Sequence, residues 1–152
     1  MLLPDQVDAT GAVRHLAIGA GKDAIIYVVD RDSLGGFNPS KNNIWQEIDG
    51  AMAGAVRSTP AYFDGHVYMS DRDHSLKSFT IAAAKLPEAA TSQTAATFGY
   101  QGTSPVVSAN GSLNGIVWAA EPATTGVLHA YDANNLAIEL YNSKQAANGR
   151  DS

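Results

Sequence analysis

Apolar residues along the chain fall in short runs, most alternating with polar residues, and each run is closed by Gly, Asp, Asn or Ser. No segment sustains a 3.6-residue period, so the pattern predicts strands rather than helices. The clearest group lies between Thr103 and Tyr141. It reads Thr-Ser-Pro-Val-Val-Ser, a turn at Asn110-Gly111, Gly-Ile-Val-Trp-Ala-Ala-Glu, a turn at Thr124-Thr125-Gly126, then Val-Leu-His-Ala-Tyr-Asp and Ile-Glu-Leu-Tyr. Four runs separated by turn signals predict one antiparallel sheet.

Weaker copies of that group lie upstream. Met1 to Pro4 is a short apolar run before a polar loop, Asp5 to Gly11. His15 to Gly19 reads as a strand, Gly21-Lys22-Asp23 as a tight turn, and Ala24 to Val29 as a strongly β-prone run. Ser33 to Asn43 is a loop with Pro39 inside it, and Ile44 to Ile48 alternates as an edge strand. After the Gly/Ala-rich linker Asp49 to Ala55, Thr59 to Phe63 and His66 to Met69 flank Asp64-Gly65, the strongest hairpin signal in this half. Asp71 to His74 is the next turn, and Leu76 to Ile81 alternates. Ala82 to Ala90 has the composition for one helical turn, which Pro87 opposes, and Ala95 to Phe98 is a weak fourth strand. Lys144 to Ser152 reads as a polar tail.

The spacing of these groups sets the expected fold. Ile26, Leu76 and Leu128 superpose as third-strand residues at intervals of 50 and 52 positions, and Val29, Phe79 and Tyr131 follow in step. Asp30 and Asp132 each close a third strand, and Leu34 and Leu136 follow four positions later. Units of this length with four strands are the repeat of β-propellers. The expectation is an all-β chain of about three four-stranded antiparallel blades, roughly 1–48, 56–98 and 103–143, forming an incomplete ring. Bare blade faces of several hundred Å² at ~25 cal/mol per Å² represent several kcal/mol. Either further blades of a longer chain cover them, which is the preferred reading, or a second copy does.

Composition narrows the function classes. The 152 residues carry a net charge of −5 with no basic stripe, which argues against nucleic-acid binding. No run approaches the ~20 apolar residues of a membrane span. Met-Leu-Leu-Pro-Asp lacks the features of a signal peptide and reads like the interior of a domain, so the true N-terminus is expected further upstream. Zero cysteines exclude disulfides, thiolate metal sites and cysteine nucleophiles.

Gly126-Val-Leu-His-Ala-Tyr-Asp-Ala-Asn-Asn-Leu-Ala and its counterpart Ala24-Ile-Ile-Tyr-Val-Val-Asp-Arg-Asp-Ser-Leu-Gly resemble the blade repeat of the pyrroloquinoline-quinone-like, or quinoprotein-like, β-propellers. Thr59-Pro-Ala-Tyr-Phe-Asp-Gly-His-Val-Tyr matches that repeat's first hairpin. Trp45, and more loosely Tyr141, stand where its docking tryptophan falls. Over residues 1–150 the chain resembles the C-terminal blades of exported bacterial proteins of this type. The resemblance implies an extracellular or periplasmic location and a scaffold or binding role. The alternative it implies is part of a quinone-dependent alcohol or sugar dehydrogenase, with PQQ and Ca²⁺ expected only in the full-length ring. This chain cannot supply the vicinal disulfide of those dehydrogenases, and it offers no recognisable calcium ligands or catalytic aspartate.

Candidate chemistry read from the residues is sparse. Asp30-Arg31-Asp32 starts like a calcium loop but has Leu34 at the fifth place and Lys41 at the twelfth. It and Asp71-Arg72-Asp73-His74 read as strand-end turn carboxylates partly neutralised by arginine. The four histidines are dispersed, and His66 and His129 sit within strands. Trp45, Trp118 and the tyrosines are read as packing residues, and the sequon Asn110-Gly111-Ser112 as a hairpin turn. No residue is assigned a catalytic or metal role and cofactor-binding residues stay unassigned; enzymatic activity is left open, with a non-catalytic role favoured for this chain alone.

Overall fold

A computed structural model describes residues 1–122, 124 and 126–146. The chain is all-β and carries four antiparallel sheets. A small ribbon pairs β1 (Gln6–Val7) with β2 (Val13–Arg14). The first large sheet follows the order β3 (Leu16–Ala20), β4 (Ile26–Asp30), β5 (Gln46–Ile48). The second runs β6 (Ala61–Phe63), β7 (His66–Ser70), β8 (His74–Thr80), β9 (Ser92–Phe98). The third runs β10 (Val106–Asn110), β11 (Leu113–Glu121), β12 (Val127–Asp132), β13 (Asn135–Asn142).

The first sheet gains a partial fourth member. Leu2 bridges Ala17, Leu3 donates its N–H to the Leu16 carbonyl at 3.0 Å, and Ile18 donates to the Met1 carbonyl at 2.8 Å. Met1 to Leu3 thus flanks β3 on the side away from β4, the position that β6 and β10 hold in the other two sheets.

Two cores lie between three stacked sheets. Leu16, Ile18, Ile26, Val28 and Ile48 of the first sheet meet Val67, Met69 and Phe79 of the second. Tyr68, Leu76 and Phe98, on the second sheet's other face, meet Val117, Ala119, Tyr131 and Leu136 of the third. Strand alternation explains this division, since successive side chains leave a strand on opposite faces. In β8, Phe79 points to the first sheet while Leu76 points to the third.

The superposition predicted from sequence keeps its facing throughout. Ile26 points to the second sheet, Leu76 to the third, and Leu128 to the open side of the third, where it is 43% exposed. Phe79 and Tyr131 each point back to the preceding sheet, and Val29, half-buried, lies on the open side of the first. Intervals of 50 and 52 are both even, so a period-two strand retains its face.

Other expectations need correction. The stretch Asp5 to Gly11, read as loop, contributes β1. Its ribbon is organised by Asp8, whose carboxylate accepts the N–H groups of Thr10 and Ala12 at 2.8 and 3.0 Å, the Thr10 hydroxyl at 2.6 Å and Arg14 Nε at 2.7 Å. Ala82 to Ala90 contains no helical turn. Ala82 and Lys85 exchange backbone hydrogen bonds across Ala83 and Ala84, both at positive φ (48° and 61°), which makes a tight reverse turn. The fourth strand read at Ala95 to Phe98 begins earlier, at Ser92. Leu34 is 63% exposed in a loop whereas Leu136 is fully buried in β13, so the correspondence expected of these two leucines does not hold. The segment read as a tail, Lys144 to Ser152, begins inside a short 3₁₀ turn, Ser143–Gln145, and residues 147–152 lie outside the described residues. Thr125, in the predicted Thr124-Thr125-Gly126 turn, also lies outside them.

Candidate functional site

Alternate turns of a meander fall at opposite ends of its sheets, so the stack presents two rims. One is built by the 31–45 connection, the β1–β2 ribbon and the Ala82–Lys85 turn. Trp45 is its centre. The indole N–H donates to the Ala84 carbonyl at 2.6 Å, the Arg14 guanidinium lies 4.6 Å from the ring centre, and Lys85 Nζ lies 5.9 Å from it. The next residue, Gln46, exchanges two hydrogen bonds with the Leu86 backbone, at 2.8 and 2.9 Å. Trp45 and Gln46 therefore tie the first sheet to the second. Clefts of about 230 and 250 Å³ flank Trp45, below the usual size of a ligand pocket.

The Asp30-Arg31-Asp32 carboxylates on this rim are already engaged. Asp30 Oδ1 accepts the Asp32 N–H at 3.0 Å and its Oδ2 lies 3.4 Å from Arg14 Nη1. Asp32 meets His15 Nδ1 at 2.6 Å, and this hydrogen bond holds the imidazole's pKa above its ordinary value. Arg14 itself is shared with Asp8, whose carboxyl is held far below the usual carboxylate range, first by the Thr10 hydroxyl and then by Arg14.

The opposite rim is built by the β3–β4 and β7–β8 turns and by the two connections between sheets. Asp71 anchors it. Read from sequence as a turn carboxylate, Asp71 is fully buried. Its Oδ2 accepts the N–H groups of Ala53 and Gly54 at 2.6 and 2.8 Å, with Lys77 Nζ at 3.8 Å and His74 Nδ1 at 3.6 Å. The supposed linker is thus pinned to the second sheet, and Met52 beside it enters the first core. Asp73 fits its sequence reading, as an exposed partner of Arg72 at 2.8 Å. At the same rim Arg57 and Arg72 approach the exposed ring of Tyr100, at 4.8 and 4.7 Å from its centre. Neither Arg57 nor Tyr100 carries a sequence motif. Their meeting depends on the two inter-sheet connections converging.

The strand histidines are not brought together. His66 lies near Thr80 and Ser78, and burial lowers its pKa. His129 is buried, with Nδ1 2.6 Å from Glu139, Nε2 3.5 Å from Glu121, and its ring stacked on Tyr131. Trp118 lies on the open face of the third sheet and donates to Ser108 Oγ at 2.8 Å. Asn110-Gly111 is the predicted turn, with Gly111 at φ 63°. Among the described residues, no group of three or more His, Asp or Glu is placed to hold a metal ion, and no helix is long and apolar enough to cross a membrane. No family model matches the chain, and no curated protein matches it.

Proposed function

We propose that this chain is a stretch of a quinoprotein-like β-propeller from an exported bacterial protein, serving as scaffold and as a surface for ligand or partner binding. One observation carries the reading. Third-strand residues Ile26, Leu76 and Leu128 face onward while Val29, Phe79 and Tyr131 face back, as in successive blades of a propeller. In the same reading, Trp45 is the docking tryptophan that joins one blade to the next.

The two outer faces support an incomplete ring. On the third sheet, Val106, Trp118, Leu128 and Tyr141 share the face turned away from the core, and Val106 is 65% exposed. On the first sheet, Leu2, Val29 and Tyr27 occupy the corresponding open face. Further blades of a longer chain, or a second copy, cover these faces.

Cysteine trapping tests the direction of stacking in a chain that has no cysteine of its own. Val29→Cys and Leu128→Cys variants, mixed under mild oxidation, are expected to form the mixed disulfide in preference to either like pair. Preferential Leu128→Cys self-pairing would contradict head-to-tail stacking. In a full-length ring supplied with PQQ and Ca²⁺, the scaffold role predicts no reduction of an artificial electron acceptor, whereas a dehydrogenase would reduce it.

A further inference from the structure

We propose that Arg57 and Arg72, gathered around Tyr100, form an oxyanion-binding site for a carboxylate- or phosphate-bearing ligand at the rim where the inter-sheet connections converge. The inference is independent of the propeller reading, because it rests on local side-chain geometry alone.

Both cations stand on one exposed ring in a chain of net charge −5. Each guanidinium lies within 5 Å of the Tyr100 ring centre, at cation–π distance. The ring face takes none of the N–H donors: Arg72 Nε–H donates to Asp73 at 2.8 Å, and the Arg57 donors make no hydrogen bond among the described residues. A guanidinium whose donors are free is suited to bidentate recognition of a planar or tetrahedral oxyanion. All three side chains belong to exposed residues, so the donors are accessible.

The charges around the site leave one cation uncompensated. Arg72 pairs with Asp73, but no carboxylate lies within ion-pair distance of Arg57 among the described residues. Asp71, next to Arg72 in the chain, gives Oδ2 to the Ala53 and Gly54 amides, with Lys77 and His74 beside it, and its buried Oδ1 has no hydrogen-bond partner among the described residues. An arriving anion therefore meets Arg57 without displacing an existing partner.

The backbone holds the three residues in place. Arg72 donates its N–H to the Ala55 carbonyl at 3.0 Å, Val56 bridges Asp71, and Asp73 and Gly102 both donate to the Gly99 carbonyl, at 3.3 and 2.7 Å. Gly102, at φ 67°, packs so closely that a Cβ there would stand 2.9 Å from Ser70 Oγ. These contacts fix the backbone spacing around positions 57, 72 and 100, so the ordering that binding requires falls on the side chains.

The test is a titration of the intact chain with citrate and, separately, inorganic phosphate, following the Arg57 and Arg72 Nε–H resonances, with chloride at matched ionic strength as control. The proposal predicts a saturable shift with one or both anions and none with chloride. It also predicts at least tenfold weaker binding for Arg57→Gln and an intermediate loss for Arg57→Lys, which keeps the charge but loses the fork. Arg31→Gln, an exposed arginine on the opposite rim, should bind as the parent chain does. Stronger binding of citrate identifies a carboxylate ligand and stronger binding of phosphate a phosphorylated one. Shifts that merely follow ionic strength, or an Arg57→Gln variant that folds by circular dichroism and binds undiminished, would overturn the proposal. Should Arg57→Gln fail to fold, undiminished binding by Arg57→Lys would overturn it equally.

Discussion

Two tyrosines buried between the second and third sheets should respond in opposite ways to loss of their hydroxyl groups. The Tyr68 hydroxyl donates to the Ala133 carbonyl at 2.7 Å, a bond from one sheet to the next between two fully buried residues. The Tyr131 hydroxyl is also buried but has no hydrogen-bond partner among the described residues. Tyr68→Phe leaves the Ala133 carbonyl unsatisfied, which costs about 1–3 kcal/mol. At this chain length a loss of 1 kcal/mol lowers Tm by roughly 2–4 °C, so a fall of several degrees is expected. Tyr131→Phe instead removes an oxygen whose desolvation is uncompensated, and should leave stability unchanged or raise it by up to about 1 kcal/mol. Tyr131→Asp, which buries a charge at the same point, should cost several kcal/mol. Urea unfolding followed by far-UV circular dichroism, with calorimetric Tm, reads all three. Equal losses for the two phenylalanine variants would refute the hydrogen-bond argument. An unchanged Tm for Tyr131→Asp would refute the burial of that position, and with it the repeat register.

Other outcomes follow from individual contacts. Gly115→Ala should destabilise by about 1–3 kcal/mol in thermal melts, because a Cβ there falls 2.8 Å from both Ala133 Cβ and Phe63 Cδ1. Trp45→Phe removes the indole hydrogen bond to Ala84 and should cost about 1–2 kcal/mol by denaturant titration; a neutral result would mean that Trp45 does not tie the sheets. Asp8 ionises far below its ordinary 3.8 in the folded chain, so its contribution is present above about pH 4 and is lost as pH falls towards the folded value. Stability measured from pH 6 down to pH 2 should therefore decline less steeply in Asp8→Asn than in the parent.

Much of the architecture is legible because strand periodicity and turn chemistry are local. Asp64-Gly65 forms its hairpin, with both residues at positive φ (42° and 84°). The even spacing of Ile26, Leu76 and Leu128 carries their facing from sheet to sheet. What escapes the sequence is set by contacts distant along the chain. The β1–β2 ribbon has only two residues a side and depends on Asp8 as a polar hub, so no alternation announces it. The Ala83-Ala84 turn uses backbone angles alanine seldom adopts, while Trp45 donates to the Ala84 carbonyl and Gln46 grips Leu86 next to it. Asp71 reads as a surface turn until the Ala53 and Gly54 amides close over it. The Arg57–Tyr100–Arg72 cluster joins three separate segments and belongs to no motif, so only the folded chain reveals it.

The claim that the outer faces of the first and third sheets are sheet-docking surfaces is tested most directly by molar mass in solution. Size-exclusion chromatography with light scattering, run from micromolar to millimolar chain, should give a mass that rises above 15.9 kDa with concentration. Leu128→Lys, which places a charge on the open face of the third sheet, should return the mass to that of the monomer without loss of β circular dichroism. A folded parent chain that stays at 15.9 kDa across the whole range would contradict the claim.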